Sequence, residues 1–269
     1  MKPLHYYSLF IGILLLFSGC EKEVDLDLKE IPPTPVIEAV LSTNAPDSYI
    51  KISMTKGFKT DNYDYAIIDY AQINLTDEQG NNLIFTPDNE GIYRTNQEAL
   101  PEHTYHLEAT FDHFQISSEA EMLSIPQWES VTLYKKHDEY NGNYYRIEIK
   151  IRDDAPETDY YLIKLLQNSG SYYGEYHLFL TNDNQKTNDY FVLEPVYLYN
   201  QSPLEISINH IPKIYYDFQI TLSELGEAEY GQSPFTTTVL GNPVSNIQNG
   251  LGIFGTQAVS SIIVNIPQN

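Results

Sequence analysis

The chain predicts an all-β protein: an N-terminal immunoglobulin-like β-sandwich followed by a second β-rich domain with one short helix. Three observations carry that expectation. Tyrosine is abundant, at 23 of 269 residues. Apolar residues fall in short runs that alternate with polar ones, and the runs are divided by Asn, Asp, Gly and Pro, which turn a chain.

Residues 1–19 read as an address rather than a fold. Lys2 opens a short positive region, an apolar run from Leu9 to Phe17 follows, and Ser18-Gly19-Cys20 closes it with the only cysteine. The run is well short of the ~20 residues that span a bilayer. Two small residues stand just before Cys20, where a signal peptidase must accommodate the chain. This is the pattern of a lipoprotein signal peptide, and Cys20 is expected to be the lipidated N-terminus of the mature protein. Residues 20–35 form a tether. Glu21, Lys22, Glu23, Asp25 and Asp27 lie in an acidic run that resembles an export signal for the outer face of the outer membrane. Pro32-Pro33-Thr34-Pro35 stiffens the end of the tether, because successive prolines favour extended geometry.

The first folded segment is expected over residues 36–125. Strands read at Val36 to Leu41, Ser48 to Met54, Ala71 to Thr76, Leu83 to Thr86, Gly91 to Thr95, Thr104 to Thr110 and Phe114 to Met122. Polar clusters at 77–82 and 87–91 supply hairpin turns. So many short strands in so little chain point to the immunoglobulin-like sandwich.

Ile125-Pro126-Gln127 marks a junction, because proline interrupts a ladder. Residues 126–269 then form the second, β-rich domain. Strands are expected at Ser130 to Lys136, Asn143 to Arg152, Asp159 to Gln167, Tyr172 to Thr181, Tyr190 to Tyr199 and Leu204 to Asn209. A helix is expected near 211–229, with Pro212 in its first turn and Ile214, Phe218 and Leu222 on one stripe. Two closing strands are expected at Ser245 to Phe254 and Ala258 to Ile266.

Composition excludes several functions. The net charge is −22, so phosphate neutralisation cannot drive nucleic-acid binding. The same charge repels anionic lipid, and membrane attachment must rest on the acyl chains of Cys20. A single cysteine allows no disulfide within the chain.

No cofactor or metal site is expected. His103 and His106 are three apart on a strand and so face opposite ways, and His113 stands apart from both. The run Thr181 to Gln185 offers oxygen ligands but lacks the glycine and closing glutamate of a calcium loop. No nucleophile elbow, zinc-protease helix or phosphate loop is present, and a non-catalytic protein is expected. Gly250, Gly252 and Gly255 precede a strand-like segment rather than a helix, so they are expected, with Asn246, to let a strand bulge and pass close to another backbone.

The segment Pro243 to Gly255, above all Asn246-Ile247-Gln248-Asn249-Gly250-Leu251-Gly252-Ile253-Phe254-Gly255, carries a resemblance. With the Tyr215-Tyr216-Asp217-Phe218 helix and the Cys20 to Asp27 run, it resembles a Bacteroidota lipoprotein family catalogued as domain of unknown function forty-two forty-nine. The resemblance implies an accessory lipoprotein beside a TonB-dependent outer-membrane β-barrel receptor, and it implies no catalytic residues.

Tyrosine is the residue that can carry recognition. Adjacent tyrosines on a strand face opposite ways, leaving one of each pair outside. Candidate partner-binding residues are Tyr172, Tyr173, Tyr176 and Tyr216, the last because it faces away from the apolar stripe of its helix. The expected function is an accessory subunit of the receptor, in cargo capture or gating. The alternative is a free-standing glycan- or peptide-binding module on the cell surface.

Overall fold

The computed structural model describes residues 32–56, 67–140, 142–152, 157–167, 175–198, 202–230 and 242–266. From Pro33 onward these residues belong to one compact unit. Its earlier part contributes β1 (Pro35–Ser42), β2 (Tyr49–Met54), β3 (Gln72–Asp77), β4 (Asn82–Leu83), β5 (Thr86–Pro87), β6 (Tyr93–Arg94), β7 (His103–Phe111) and β8 (Phe114–Met122). Its later part contributes β9 (Gln127–Asp138), β10 (Gly142–Arg152), β11 (Tyr160–Gln167), β12 (Glu175–Asn182), β13 (Phe191–Val196), β14 (Leu204–Ile211), helix α1 (Lys213–Tyr230) and β15 (Leu251–Val264).

The all-β expectation holds, and so does the single α-helix among the described residues. The strands form an eight-stranded sheet in the order β12-β11-β14-β15-β1-β2-β6-β5, a four-stranded sheet β4-β3-β7-β8, and a three-stranded sheet β13-β10-β9. Phe254 and Ala258 of β15 enter one apolar core, with Ile37, Ile52, Leu107 and Ile116. Ile262 and Val264, on the same side of the same strand, enter a second core with Ile147, Ile163, Phe191 and Ile206. Period-two alternation along β15 thus puts both small sheets on one face of the large sheet, making two sandwiches side by side. Tyr105 ties the first as immunoglobulin-like sandwiches do at this corner, its hydroxyl accepting from the Leu100 N–H at 2.7 Å.

The two cores do not divide at the 125/126 junction alone. Ile247, Phe254 and Ala258 come from the end of the chain and complete the first core. β15 is also one strand where two were expected. Its first half pairs in parallel with β1, from Val36 opposite Leu251 to Ser42 opposite Gln257. Its second half pairs antiparallel with β14, from Leu204 opposite Val264 to His210 opposite Ala258. The polar pair Thr256-Gln257 reads as a break in the sequence but is buried in the strand. Both side chains are satisfied there: the Thr256 hydroxyl donates to the Glu121 carbonyl, and the Gln257 Oε1 accepts from Lys164 Nζ at 3.5 Å.

Helix α1 lies on the opposite face of the large sheet. Tyr215 and Phe218 pack there on Val40, Leu162, Ile211 and Ile253. The apolar stripe is rotated from its expected position, since Leu222 is exposed and Tyr215, at 5%, is more buried than Phe218. Gly255 is the reason. A Cβ there would lie 2.6 Å from the Tyr215 ring, which occupies the vacated space.

Candidate interaction surface

The outward face of the second sandwich is set by alternation on β10. Tyr145, Ile147, Ile149 and Ile151 fill the core, so Tyr144, Arg146, Glu148 and Lys150 must face away from it. Register adds neighbours: Tyr134 of β9 stands opposite Arg146, and Thr132 stands opposite Glu148. Beyond β13, the Tyr197 ring lies 6.1 Å from that of Tyr144.

Charge fixes the centre of this face. Arg146 donates through Nε to Glu148 Oε1 at 2.9 Å and through Nη1 to Glu194 Oε2 at 3.1 Å. These bonds raise the Arg146 pKa further, Glu148 contributing most. A hydrogen bond to Glu194 likewise pushes the Tyr144 hydroxyl up, so it stays a protonated donor across the neutral range. Lys150 pairs with Glu129 at 3.0 Å. At the turn between β9 and β10, Tyr140 is 94% exposed, and Tyr134 is 44% exposed. Tyrosines around a held arginine match the composition of protein interfaces, where Tyr and Arg supply large contact area at little entropic cost.

The sequence-predicted residues fall elsewhere. Tyr216 is half-buried, with its ring 4.8 Å from that of Tyr160, so it packs on the sheet rather than standing free. Facing away from Ile214 and Phe218 does not expose it, because the rotated helix turns that side toward β11. Tyr176 is on β12 opposite Leu166. Tyr172 and Tyr173 lie outside the described residues, as do Cys20, Glu21, Lys22, Glu23, Asp25 and Asp27.

The glycine segment is a joint. The Asn246 amide spans β15, its Nδ2 donating to the Phe254 carbonyl at 2.8 Å and its Oδ1 accepting from the Phe254 N–H at 2.9 Å. Gly252 sits at φ +106°, and a Cβ there would be 1.9 Å from the Ile37 carbonyl oxygen. Gly250 passes close to Pro35, where a Cβ would meet the carbonyl oxygen at 3.1 Å. The glycines lead into β15 and not into a helix N-terminus, so the N–H cluster that holds a phosphate is not formed. His103 and His106 point to opposite sides of β7, the first toward the Pro101 carbonyl and the second toward Glu119.

Sequence reasoning missed Tyr134, Tyr140, Arg146 and Glu194. A signal for part of the set was present, because Tyr144-Tyr145 places one ring outside, and the outside partners two and four residues on are then Arg146 and Glu148. The opposing strands could not be read.

No curated protein matches the sequence. Among solved structures, the chain is similar to the chicken interferon gamma receptor alpha chain at 10% identity and a TM-score of 0.22, over 66% of this chain and 88% of that one. The family model described as "Domain of unknown function (DUF4249)" matches residues 21–263, and the chain belongs to that family.

Proposed function

We propose that the protein is a non-catalytic outer-membrane lipoprotein, held by acyl chains on Cys20 and facing the cell exterior, that serves as an accessory subunit of a TonB-dependent β-barrel receptor in cargo capture or gating. It meets the receptor with the outward face of β13-β10-β9. One observation carries the assignment of that face: Tyr134, Tyr144 and Tyr197 surround an Arg146 already fixed by two carboxylates, so little side-chain entropy remains to be lost on docking. The signal-peptide pattern before Cys20 supports the anchor, and the acidic run after it supports surface export. No helix among the described residues is long and apolar enough to cross a membrane.

The test is recovery of the receptor through a C-terminal tag from gently solubilised outer membranes. A large β-barrel should co-purify with the parent protein and be lost with Tyr134→Ser/Tyr144→Ser, whose changes are on the surface and leave the fold intact. Undiminished recovery with that variant would move the contact elsewhere. Absence of any barrel, with ligand binding retained, would favour a free-standing glycan- or peptide-binding module. Fatty-acid labelling that still marked Cys20→Ala would remove the anchor.

A further inference from the structure

A second feature lies on the other side of the large sheet, beside α1, and does not depend on receptor docking. On β11 the inward residues are Tyr161, Ile163 and Leu165, so Lys164 and Leu166 emerge on the helix side. There, between the sheet and Tyr215 and Gln219 of α1, is a cleft of about 390 Å³ with Lys164, Gln257 and Leu178 in its wall.

Lys164 is out of keeping with its protein. Acidic residues number 37 against 15 lysines and arginines, and the cations Arg94, Arg146, Lys150 and Lys213 each hold a carboxylate. Lys164 is largely withdrawn from water, yet its one hydrogen bond among the described residues is a long one, 3.5 Å to the neutral Gln257 amide. Asp47 on the rim, the acid whose charge acts on Lys164, takes the Asn44 amide at 3.0 Å instead. Burial pushes the ammonium pKa down, and Asp47 only partly opposes this. A half-buried cation with no carboxylate bonded to it among the described residues is costly unless something supplies the anion.

The cleft also has an apolar continuation. Leu178 stands directly opposite Lys164, and Leu166 is two residues along the same strand face. Leu178 and Leu166 are 45% and 41% exposed, an apolar pair beside the cation, and the exposed Glu205 separates them from Ile263. A cation at one end and an aliphatic pair leading from it define a ligand with an acid head and an apolar tail.

We propose that this cleft binds a small monocarboxylate with an aliphatic tail, its carboxylate on Lys164 Nζ and its tail along Leu178 and Leu166. The chemistry is shared by a free fatty acid and by the carboxyl end of an apolar peptide.

Calorimetric titration of the intact protein with octanoate tests it, with 1-octanol as the uncharged probe and N-acetylleucine as the peptide-end probe. Saturable octanoate binding is expected, at least about tenfold tighter than 1-octanol, since a charge-assisted contact in a dry site contributes more than about 1.4 kcal/mol. Lys164→Met should abolish that tenfold preference while melting no lower than the parent, because it removes a desolvated charge. Leu178→Glu, at an exposed position, should reject octanoate with Lys164 still present and keeps the test decisive should Lys164→Met misfold. Binding of N-acetylleucine in place of octanoate, still lost with Lys164→Met, supports the carboxylate site and assigns its source to peptide. Equal binding of octanoate and 1-octanol, an unchanged preference in Lys164→Met, or no saturable binding of either carboxylate would overturn the proposal.

Discussion

On the outward face of β7 and β8 the first sandwich presents Thr104, His106, Glu108, Gln115, Ser117, Glu119 and Glu121, while the same face of β9 and β10 presents Thr132, Tyr134, Lys136, Tyr144, Arg146, Glu148 and Lys150. The inward residues of the two are alike in being mostly apolar at every second place, Tyr105, Leu107, Phe111 and Ile116 in the first and Leu133, Tyr145, Ile147, Ile149 and Ile151 in the second. The core therefore accounts for the fold twice over, and the outward residues differ, mostly short polar and acidic ones on the first sandwich and tyrosines beside an arginine on the second. Short amide and carboxylate side chains keep their water, whereas tyrosine rings beside an arginine gain by losing it.

The comparison is broken most severely at the strand the two sandwiches share. Gly252→Val forces a side chain into the Ile37 carbonyl at a positive φ, and should cost about 3 kcal/mol or more, some 6–12 °C in melting temperature for a chain of this size. Thermal unfolding would show it, and a fall under about 2 °C would mean that the β1–β15 register tolerates the spacing. Asn246→Ala removes two hydrogen bonds to Phe254 and should cost about 2 kcal/mol by denaturant unfolding. Asn246→Asp should be as harmful, since a carboxylate oxygen would then face the Phe254 carbonyl.

The outward faces are separated by paired measurements. Tyr144→Ser should reduce receptor affinity by about thirtyfold, roughly 2 kcal/mol, with the melting temperature nearly unchanged, whereas Glu119→Ala on the first sandwich should alter neither. Equal losses from both would erase the distinction. Tyr216→Ala should show the reverse pattern, costing about 1 kcal/mol of stability through its contact with Tyr160 while leaving recovery intact.

The smallest effect is expected in acid. His210 sits 3.2 Å from Asp159 and 3.0 Å from the Ser124 carbonyl, at the passage from the first sandwich to the second. The His210 ring beside it holds the Asp159 carboxyl below its ordinary value. The unfolded chain therefore takes up this proton first, near about pH 4, and the stabilisation present above that point is lost as pH falls through the lowered native value. Asp159→Asn should cost no more than about 1 kcal/mol at neutral pH and flatten the stability profile below about pH 4. An unaltered acid slope would show that the pair contributes nothing to holding the passage.

Most strands and the helix were legible because they depend on neighbours in sequence. Alternation in Tyr144 to Ile151 and in Thr104 to Phe111 is local, and so is the helical spacing after Pro212. The rest depends on distant partners. Nothing near Thr256 and Gln257 says that Glu121 and Lys164 will satisfy them, so one strand read as two. Nothing near Tyr216 says that a glycine at 255 draws Tyr215 inward and turns its neighbour onto Tyr160. The contact face suffered likewise, since it needs the register between β9, β10 and β13. Asn246 and the glycines were the exception, because an amide followed by residues without side chains signals close approach whatever the partner is.

The parallel ladder from Val36–Leu251 to Ser42–Gln257 gives the molecule a mechanical axis. A pull delivered to the chain ahead of Pro35 runs along β1, which is flanked by β15 on one side and β2 on the other. Such a load shears both ladders at once instead of peeling their bonds singly, and resistance to it is set by the barrier to unfolding rather than by equilibrium stability. From β1 the strain passes into β15, which carries it into the second sandwich. On the proposed reading, with the anchor ahead of Pro35 and the partner on the tyrosine face, one continuous strand would join the two loads, and a partner tugging on the later sandwich would haul directly on the leash.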